Sequence, residues 1–169
     1  MVARDRETGH LFVFIDEALA DDDSREGKAR FRMAVAEELA HIHLHRPLIV
    51  AVDSPEGFCE LHRHPQWQDV ERDAKLFAQM LLMPTKRLFD ESRETFEHIL
   101  QRPEIKKRLN DSPSACRALS EPIKRQLCTM LAKRFLVSER DMHRRLNSNY
   151  VKMYRCIGEA LDSGLDTLP

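Results

Sequence analysis

The segment that decides the fold of this chain is RMAVAEELAH, which runs from Arg32 to His41. Around it, apolar residues recur at spacings of three and four, the period of an amphipathic helix. This apolar stripe consists of Phe31, Val35, Leu39 and Ile42. It predicts a helix over residues 28–45 that buries these four side chains, and Pro47 is expected to end it.

The polar residues of this helix carry candidate chemistry. In the HExxH motif, two histidines four residues apart bind zinc, and the glutamate beside the first histidine acts as general base. Here Glu38 and His41 occupy two of these positions, and Glu37 stands where the first histidine would be. Helical spacing places Glu37 and His41 on one face, with Glu38 about 100° around the axis. Carboxylates also bind zinc, so the segment predicts a metal site with one altered ligand.

A second helix is predicted over residues 69–83, with an apolar face and Pro84 as its end. Its apolar face consists of Ala74, Phe77, Ala78, Leu81 and Leu82. The apolar run Leu11–Asp16 predicts a buried strand, and residues 48–52 predict a second strand. Residues 53–66 are expected to be irregular. Short helices are expected over residues 85–109, broken at Pro103, with a polar turn at residues 110–113.

Three further helices are predicted in the C-terminal part of the chain. Ser120 is expected to cap one that runs to Phe135, and Ser138 with Asp141 resembles a capping box for a helix over residues 139–146. The last covers residues 150–161. The three residues between the first two give helix-turn-helix spacing. Side chains of the middle helix that can reach a DNA groove are Arg144, Arg145 and Asn147.

Composition limits the class of protein. The chain has 169 residues and a net charge of −1, but residues 101–160 hold 14 Lys/Arg and 6 Asp/Glu, so this part is strongly basic and the rest is acidic. A basic C-terminal part can meet an acidic partner or nucleic acid. The four cysteines form no CxxC pair, and no apolar run approaches the roughly 18 residues of a membrane span. We therefore expect a cytoplasmic protein without a membrane segment.

Three blocks of the sequence resemble the ImmA/IrrE family of bacterial and phage metallopeptidases. The segment ending in Glu37-Glu38-Leu39-Ala40-His41 is similar to the family's Arg-Phe-Thr-x-Ala-His-Glu-Leu-Gly-His. Residues 71–84, ERDAKLFAQMLLMP, resemble its Glu-x-x-Ala-Asn-x-Phe-Ala-x-x-Leu-Leu-Met-Pro. Residues 131–138, with Met142, Arg145 and Leu146, are similar to its C-terminal helical block. The blocks occur in the family's order.

The resemblance implies a mostly α (α+β) fold. A minimal zincin-like metallopeptidase domain with a short N-terminal sheet would occupy residues 1–110, and a helix-turn-helix-like helical domain residues 111–169. It implies Glu37, His41 and Glu71 as metal ligands and Glu38 as the catalytic base. The implied cofactor is zinc, and the usual activity is endoproteolysis of a transcriptional repressor. Two departures stand out, because Glu37 replaces the first metal histidine and Ala40 replaces a glycine.

Several alternatives stay open at this point. A second carboxylate ligand weakens the acidification of a metal-bound water and favours manganese over zinc, and the site can also lack metal altogether. His41 with His45 is another possible ligand pair, and His64 is a candidate rescuing ligand. The chain is therefore either a weakened endopeptidase or an inactive relative that binds a helix-turn-helix repressor without cleaving it. Direct DNA binding by the basic C-terminal part is the third hypothesis.

Overall fold

The computed structural model of this protein describes residues 2–5, 7–52, 54–111, 113–163 and 168. This part of the chain is mostly helical, as predicted, and contains one small sheet. It divides into two compact units, residues 1–82 and residues 83–169. The elements of the first unit are β1 (Val2–Arg4), β2 (Leu11–Val13), α1 (Glu17–Ala20), α2 (Arg25–Leu44), α3 (Arg46–Ala51), α4 (Pro55–Arg63) and α5 (Trp67–Leu82). The second unit contains α6 (Thr85–Leu100), α7 (Pro103–Asp111), α8 (Pro113–Phe135), α9 (Glu139–Leu146) and α10 (Met153–Asp162).

The sheet of the first unit is a single antiparallel pair, in which Val2 lies opposite Val13. The predicted strand at residues 11–16 is present, but it is shorter than expected and is not buried. Phe12 is 48% exposed and Phe14 is 54% exposed. The prediction of a buried strand is wrong because a sheet of only two three-residue strands has too little area to cover these rings.

The predicted helix around residues 32–41 is confirmed as α2, and Ser24 caps it by accepting a hydrogen bond from the Gly27 amide at 2.9 Å. Its buried face differs from the predicted stripe, since Leu39 is 46% exposed and the other three stripe residues are only partly buried. The residues that are buried are Gly27, Ala29, Met33, Ala36, Ala40 and His41. Most of them are small, which permits a close approach of a neighbouring helix.

That neighbour is α5, the element against which α2 makes most of its contacts. The helix predicted over residues 69–83 is therefore confirmed with a slightly earlier start. Ala74 and Ala78 are completely buried, whereas Leu81 is 50% exposed. Two alanine-rich faces meet, and the distance between helix axes depends on side-chain size at the contact. The packing of α2 on α5 positions the candidate site.

Two predictions between these helices are wrong. Residues 48–52 do not form a strand but belong mainly to α3, where Pro47 occupies the first turn. The region expected to be irregular contains α4, which Ser54 caps by accepting from the Gly57 amide at 3.0 Å. In both places a proline starts a helix, because its fixed φ suits the first helical turn.

The second unit is a helical bundle whose core includes fully buried Phe96, Leu127 and Leu131. Ser120 does not cap a helix, since α8 begins at Pro113 and contains both Ser120 and Pro122. The predicted turn at residues 110–113 includes residue 112, which lies outside the described residues; its neighbours on either side belong to α7 and α8. The boundary predicted at residue 110 stays a prediction.

The cap predicted for α9 is confirmed. Ser138 accepts from the Asp141 amide at 3.0 Å and donates to the Asp141 carboxylate at 2.6 Å. The break between α8 and α9 is made by Leu136, whose φ of 54° places it in the left-handed region. Among the helices of the described residues, none is long and apolar enough to cross a bilayer.

Candidate functional site

The candidate site lies where α2 meets α5 in the first unit. The Nε2 atom of His41, on α2, lies 3.5 Å from the Oε1 atom of Glu71, on α5. His41 is buried, with 7% of its surface exposed. The other oxygen of Glu71 lies 3.8 Å from the Lys75 ammonium, one turn further along α5. Two of the three predicted metal ligands therefore meet across the helix pair.

The second nitrogen of His41 is engaged by the other candidate histidine. The two Nδ1 atoms of His41 and His45 lie 3.3 Å apart, so that one ring donates a hydrogen bond and the other accepts it. The ring centroids are 5.4 Å apart. The alternative pair proposed from the sequence thus comes together, but through a direct hydrogen bond between the rings.

A tryptophan that the sequence interpretation missed forms one wall of the site. The Trp67 ring stacks on His41 with centroids 5.8 Å apart and an angle of 6° between the planes. His62 lies on Trp67 at 4.3 Å, in a tilted arrangement. The signal was present in the sequence, because Trp67 precedes Glu71 by four residues and so shares its face of a helix.

Burial and neighbouring charges act on His41 in opposite directions. Desolvation lowers its pKa below the usual 6.5, because burial disfavours the charged imidazolium. The negative charges of Glu71 and Glu38 oppose this shift, and His45 adds to it. The net direction is downward, so the site holds His41 in its neutral form. A neutral imidazole is the form that binds a metal.

The remaining candidate residues differ in how far they are buried. Glu37 and Glu38 are both partly buried on α2, and Glu38 is close enough to raise the pKa of His41. His64 is exposed, and its Nδ1 lies 3.3 Å from the amide of Gln66. His43 is also exposed and contacts the Phe77 ring. Convergence of Glu37 with His41 and Glu71 stays a prediction.

Possible cation ligands are few among the described residues. Within residues 2–5, 7–52, 54–111 and 113–163, no three side chains of His, Cys, Asp or Glu are grouped as metal ligands would be. His41 and Glu71 supply two suitable donors, and the hydrogen bond between His45 and Nδ1 of His41 leaves Nε2 directed at Glu71. Two of the three predicted donors are therefore in place, and the third, Glu37, stays a prediction.

A comparison with protein families gives the family of this chain. A family model described as IrrE N-terminal-like domain, Peptidase_M78, matches residues 18–147. This span covers most of the chain, which therefore belongs to the ImmA/IrrE family of metallopeptidases. The family is generally metal-dependent. No curated protein and no solved structure matches the chain significantly.

One predicted DNA contact in the second unit is wrong. Arg145 is completely buried; its guanidinium donates to the Thr85 hydroxyl at 2.7 Å and, over 3.4 Å, to the Met83 carbonyl. It cannot reach a DNA groove from this position. On α9 the helical period places Arg145 on the inner face with Met142 and Leu146. Arg144 and Asn147 are exposed.

Proposed function

We propose that this protein is an ImmA/IrrE-type endopeptidase that acts on a transcriptional repressor in the cytoplasm, with hydrolysis weakened by Glu37. The single observation that supports it is the contact of His41 with Glu71 across α2 and α5. These are two residues that the family resemblance assigns to the metal, and they come from separate sequence blocks. A zincin-like arrangement of the first unit is part of this proposal.

The chemistry of the donor set explains the expected weakness. A divalent ion held by His41 and Glu71 would supply Lewis acidity for peptide hydrolysis. With Glu37 as the third donor beside His41 and Glu71, two carboxylates would offset the charge of that ion. Lewis acidity would fall, and harder ions such as manganese would be favoured over zinc. Glu38 is the proposed base, as the neighbour of Glu37 on α2.

The proposal is tested by incubating the purified chain with zinc or manganese and with a helix-turn-helix repressor encoded beside it. We expect slow cleavage of the repressor, none with Glu38→Gln, and faster cleavage with Glu37→His. The matched control is Glu26→Gln, an exposed glutamate in the first turn of the same helix. Cleavage that persists in Glu38→Gln would contradict the proposed base.

A second candidate is a relative that binds the repressor and leaves it intact. It is favoured by Glu37, which stands where the first metal histidine of the family would be. In this case the repressor would co-purify uncleaved with the native chain and equally with Glu38→Gln. Metal-dependent cleavage by the native chain would exclude this candidate.

A further inference from the structure

The second unit contains a cleft lined mainly by polar and charged residues, which are different residues from those of the candidate peptidase site. It has a volume of about 590 Å³ and is formed by residues of α8 and α9 and by Tyr154 of α10. This volume is within the roughly 300–1,000 Å³ of small-molecule sites. The cleft therefore has the size of a site for a metabolite rather than for a single ion.

Among the described residues, two cations of the cleft have no partner of opposite charge. Arg125 on α8 and Arg140 on α9 both line it, and in the described part of the chain neither makes an ion pair. Lys124, by contrast, is paired with Glu121 at 2.9 Å. Guanidinium groups bind phosphate through two parallel hydrogen bonds, which makes arginine the preferred partner of a phosphate ester. The two arginines are suited to the anionic group of a ligand.

Four other lining residues are suited to hydroxyl groups. Glu139 and Asn147 offer carboxylate and amide oxygens as acceptors, and Asn147 also offers amide donors. The hydroxyl of Tyr154 lies 3.0 Å from the Nδ1 atom of His143, which joins α10 to α9 at the edge of the cleft. A ligand with several hydroxyl groups can satisfy such a lining, whereas an apolar one would leave these groups unpaired.

An aromatic base fits this cleft less well. Tyr154 is its aromatic residue, and its ring is already contacted by the His143 ring at 5.1 Å and by the Lys124 ammonium at 6.0 Å. Because the Tyr154 ring already makes these two contacts, it is less available for stacking with a base. From the volume, the two unpaired arginines and the polar lining, we propose that the cleft between α8, α9 and α10 binds a phosphorylated polyol such as a sugar phosphate. This binding is independent of the proposed peptidase function.

The test is calorimetric titration of the full chain with glucose 6-phosphate, inorganic phosphate and unphosphorylated glucose as probes. We expect saturable binding of glucose 6-phosphate, weaker binding of phosphate and none of glucose. Arg125→Gln and Arg140→Gln should each weaken binding by at least about tenfold, since each removes a charge-assisted hydrogen bond. Circular dichroism of each variant verifies that it is folded.

Matched controls come from the same helices. Lys133→Gln on α8 and Arg144→Gln on α9 each remove one exposed positive charge outside the cleft, and both should bind glucose 6-phosphate like the native chain. Absence of binding to the folded native chain would overturn the proposal, as would equal losses in the control variants. Tighter binding of adenosine monophosphate than of glucose 6-phosphate would overturn the choice of a polyol.

Discussion

The imidazole of His41 and the carboxylate of Glu71 face each other at 3.5 Å, although 30 positions separate them in the sequence. The contact depends on alanines, because Ala40 on α2 and Ala74 and Ala78 on α5 are completely buried. Larger side chains there would push the two helices apart. A contact between polar residues is thus maintained by the packing of small apolar ones.

The first prediction concerns the titration of His41. Glu71→Gln removes the strongest of the charges that oppose the effect of burial, so the pKa of His41 should fall further below 6.5. NMR titration of the imidazole protons in metal-free protein measures this shift. Asp73→Asn, on an exposed side chain of the same helix, should leave the pKa of His41 unchanged. An upward shift in Glu71→Gln would contradict the assignment.

The same shift gives the pH dependence of stability. Because the pKa of His41 is lower in the folded state than the 6.5 of an unfolded chain, the unfolded chain binds the proton first as the pH falls. The contribution of His41 to the free energy of unfolding is therefore complete above pH 6.5 and is lost as the pH falls through 6.5 towards the folded-state pKa. Urea unfolding at several pH values should show a shallower dependence in His41→Gln.

The second prediction concerns metal affinity. Glu37→His restores a neutral imidazole at the first ligand position, so zinc affinity should rise by about tenfold or more. Competition with a chromophoric chelator measures the affinity, and elemental analysis gives the stoichiometry. Glu26→His places a histidine on an exposed turn of the same helix and serves as control. Equal gains in both variants would indicate adventitious binding by the added histidine.

The third prediction compares two helical glycines. A Cβ at Gly27 would overlap the side chain and carbonyl of Asp22, whereas a Cβ at Gly158 would meet nothing within 4 Å. Gly27→Ala should therefore destabilise the protein by about 1–3 kcal/mol through overpacking. Gly158→Ala should stabilise it by about 0.5–1 kcal/mol, because alanine favours the helix. Urea unfolding measures both changes. A stabilising Gly27→Ala would contradict the close approach of Asp22 to Gly27.

The fourth prediction concerns the buried guanidinium of Arg145. Arg145→Ala should cost about 2–4 kcal/mol, since it leaves a cavity and removes the donor that Thr85 uses. Arg145→Met should cost less, because it fills the space without burying a charge that lacks a carboxylate partner.

The control for Arg145 is its neighbour. Arg144 is exposed on the same helix, and Arg144→Ala should change the free energy of unfolding by no more than about 0.5 kcal/mol. Chemical denaturation of the three variants, followed by circular dichroism, measures the differences. If Arg145→Ala were as stable as Arg144→Ala, the contacts to Thr85 and Met83 would have no energetic importance.

The elements predicted correctly are those with local signals. Ser138 and Asp141 marked the start of α9, and Pro84 marked the end of α5, because capping and the loss of an amide donor act within one turn. His41 and Glu71 were predicted to meet, and the contact is present.

The features that the sequence interpretation missed depend on tertiary context or on capping signals that were overlooked. Leu39 belongs to a regular apolar stripe, yet the small residues of α2 form the buried face, because α5 approaches them more closely. The Ser54–Pro55 pair is a regular helix start and was overlooked in a segment that appeared irregular. No local pattern shows that His45 bonds to His41, since this depends on the rotamers of both rings.

The stacking of Trp67 on His41 has an experimental consequence, since Trp67 is the only tryptophan of the chain. Its fluorescence reports on one place, the wall of the candidate site, without any introduced label. A charged imidazolium against the indole quenches emission more strongly than a neutral ring, so the intensity should rise with pH. His62 also contacts the indole, at 4.3 Å, and the part of the rise that persists in His62→Gln belongs to His41. The chain thus contains an intrinsic optical probe of its own site.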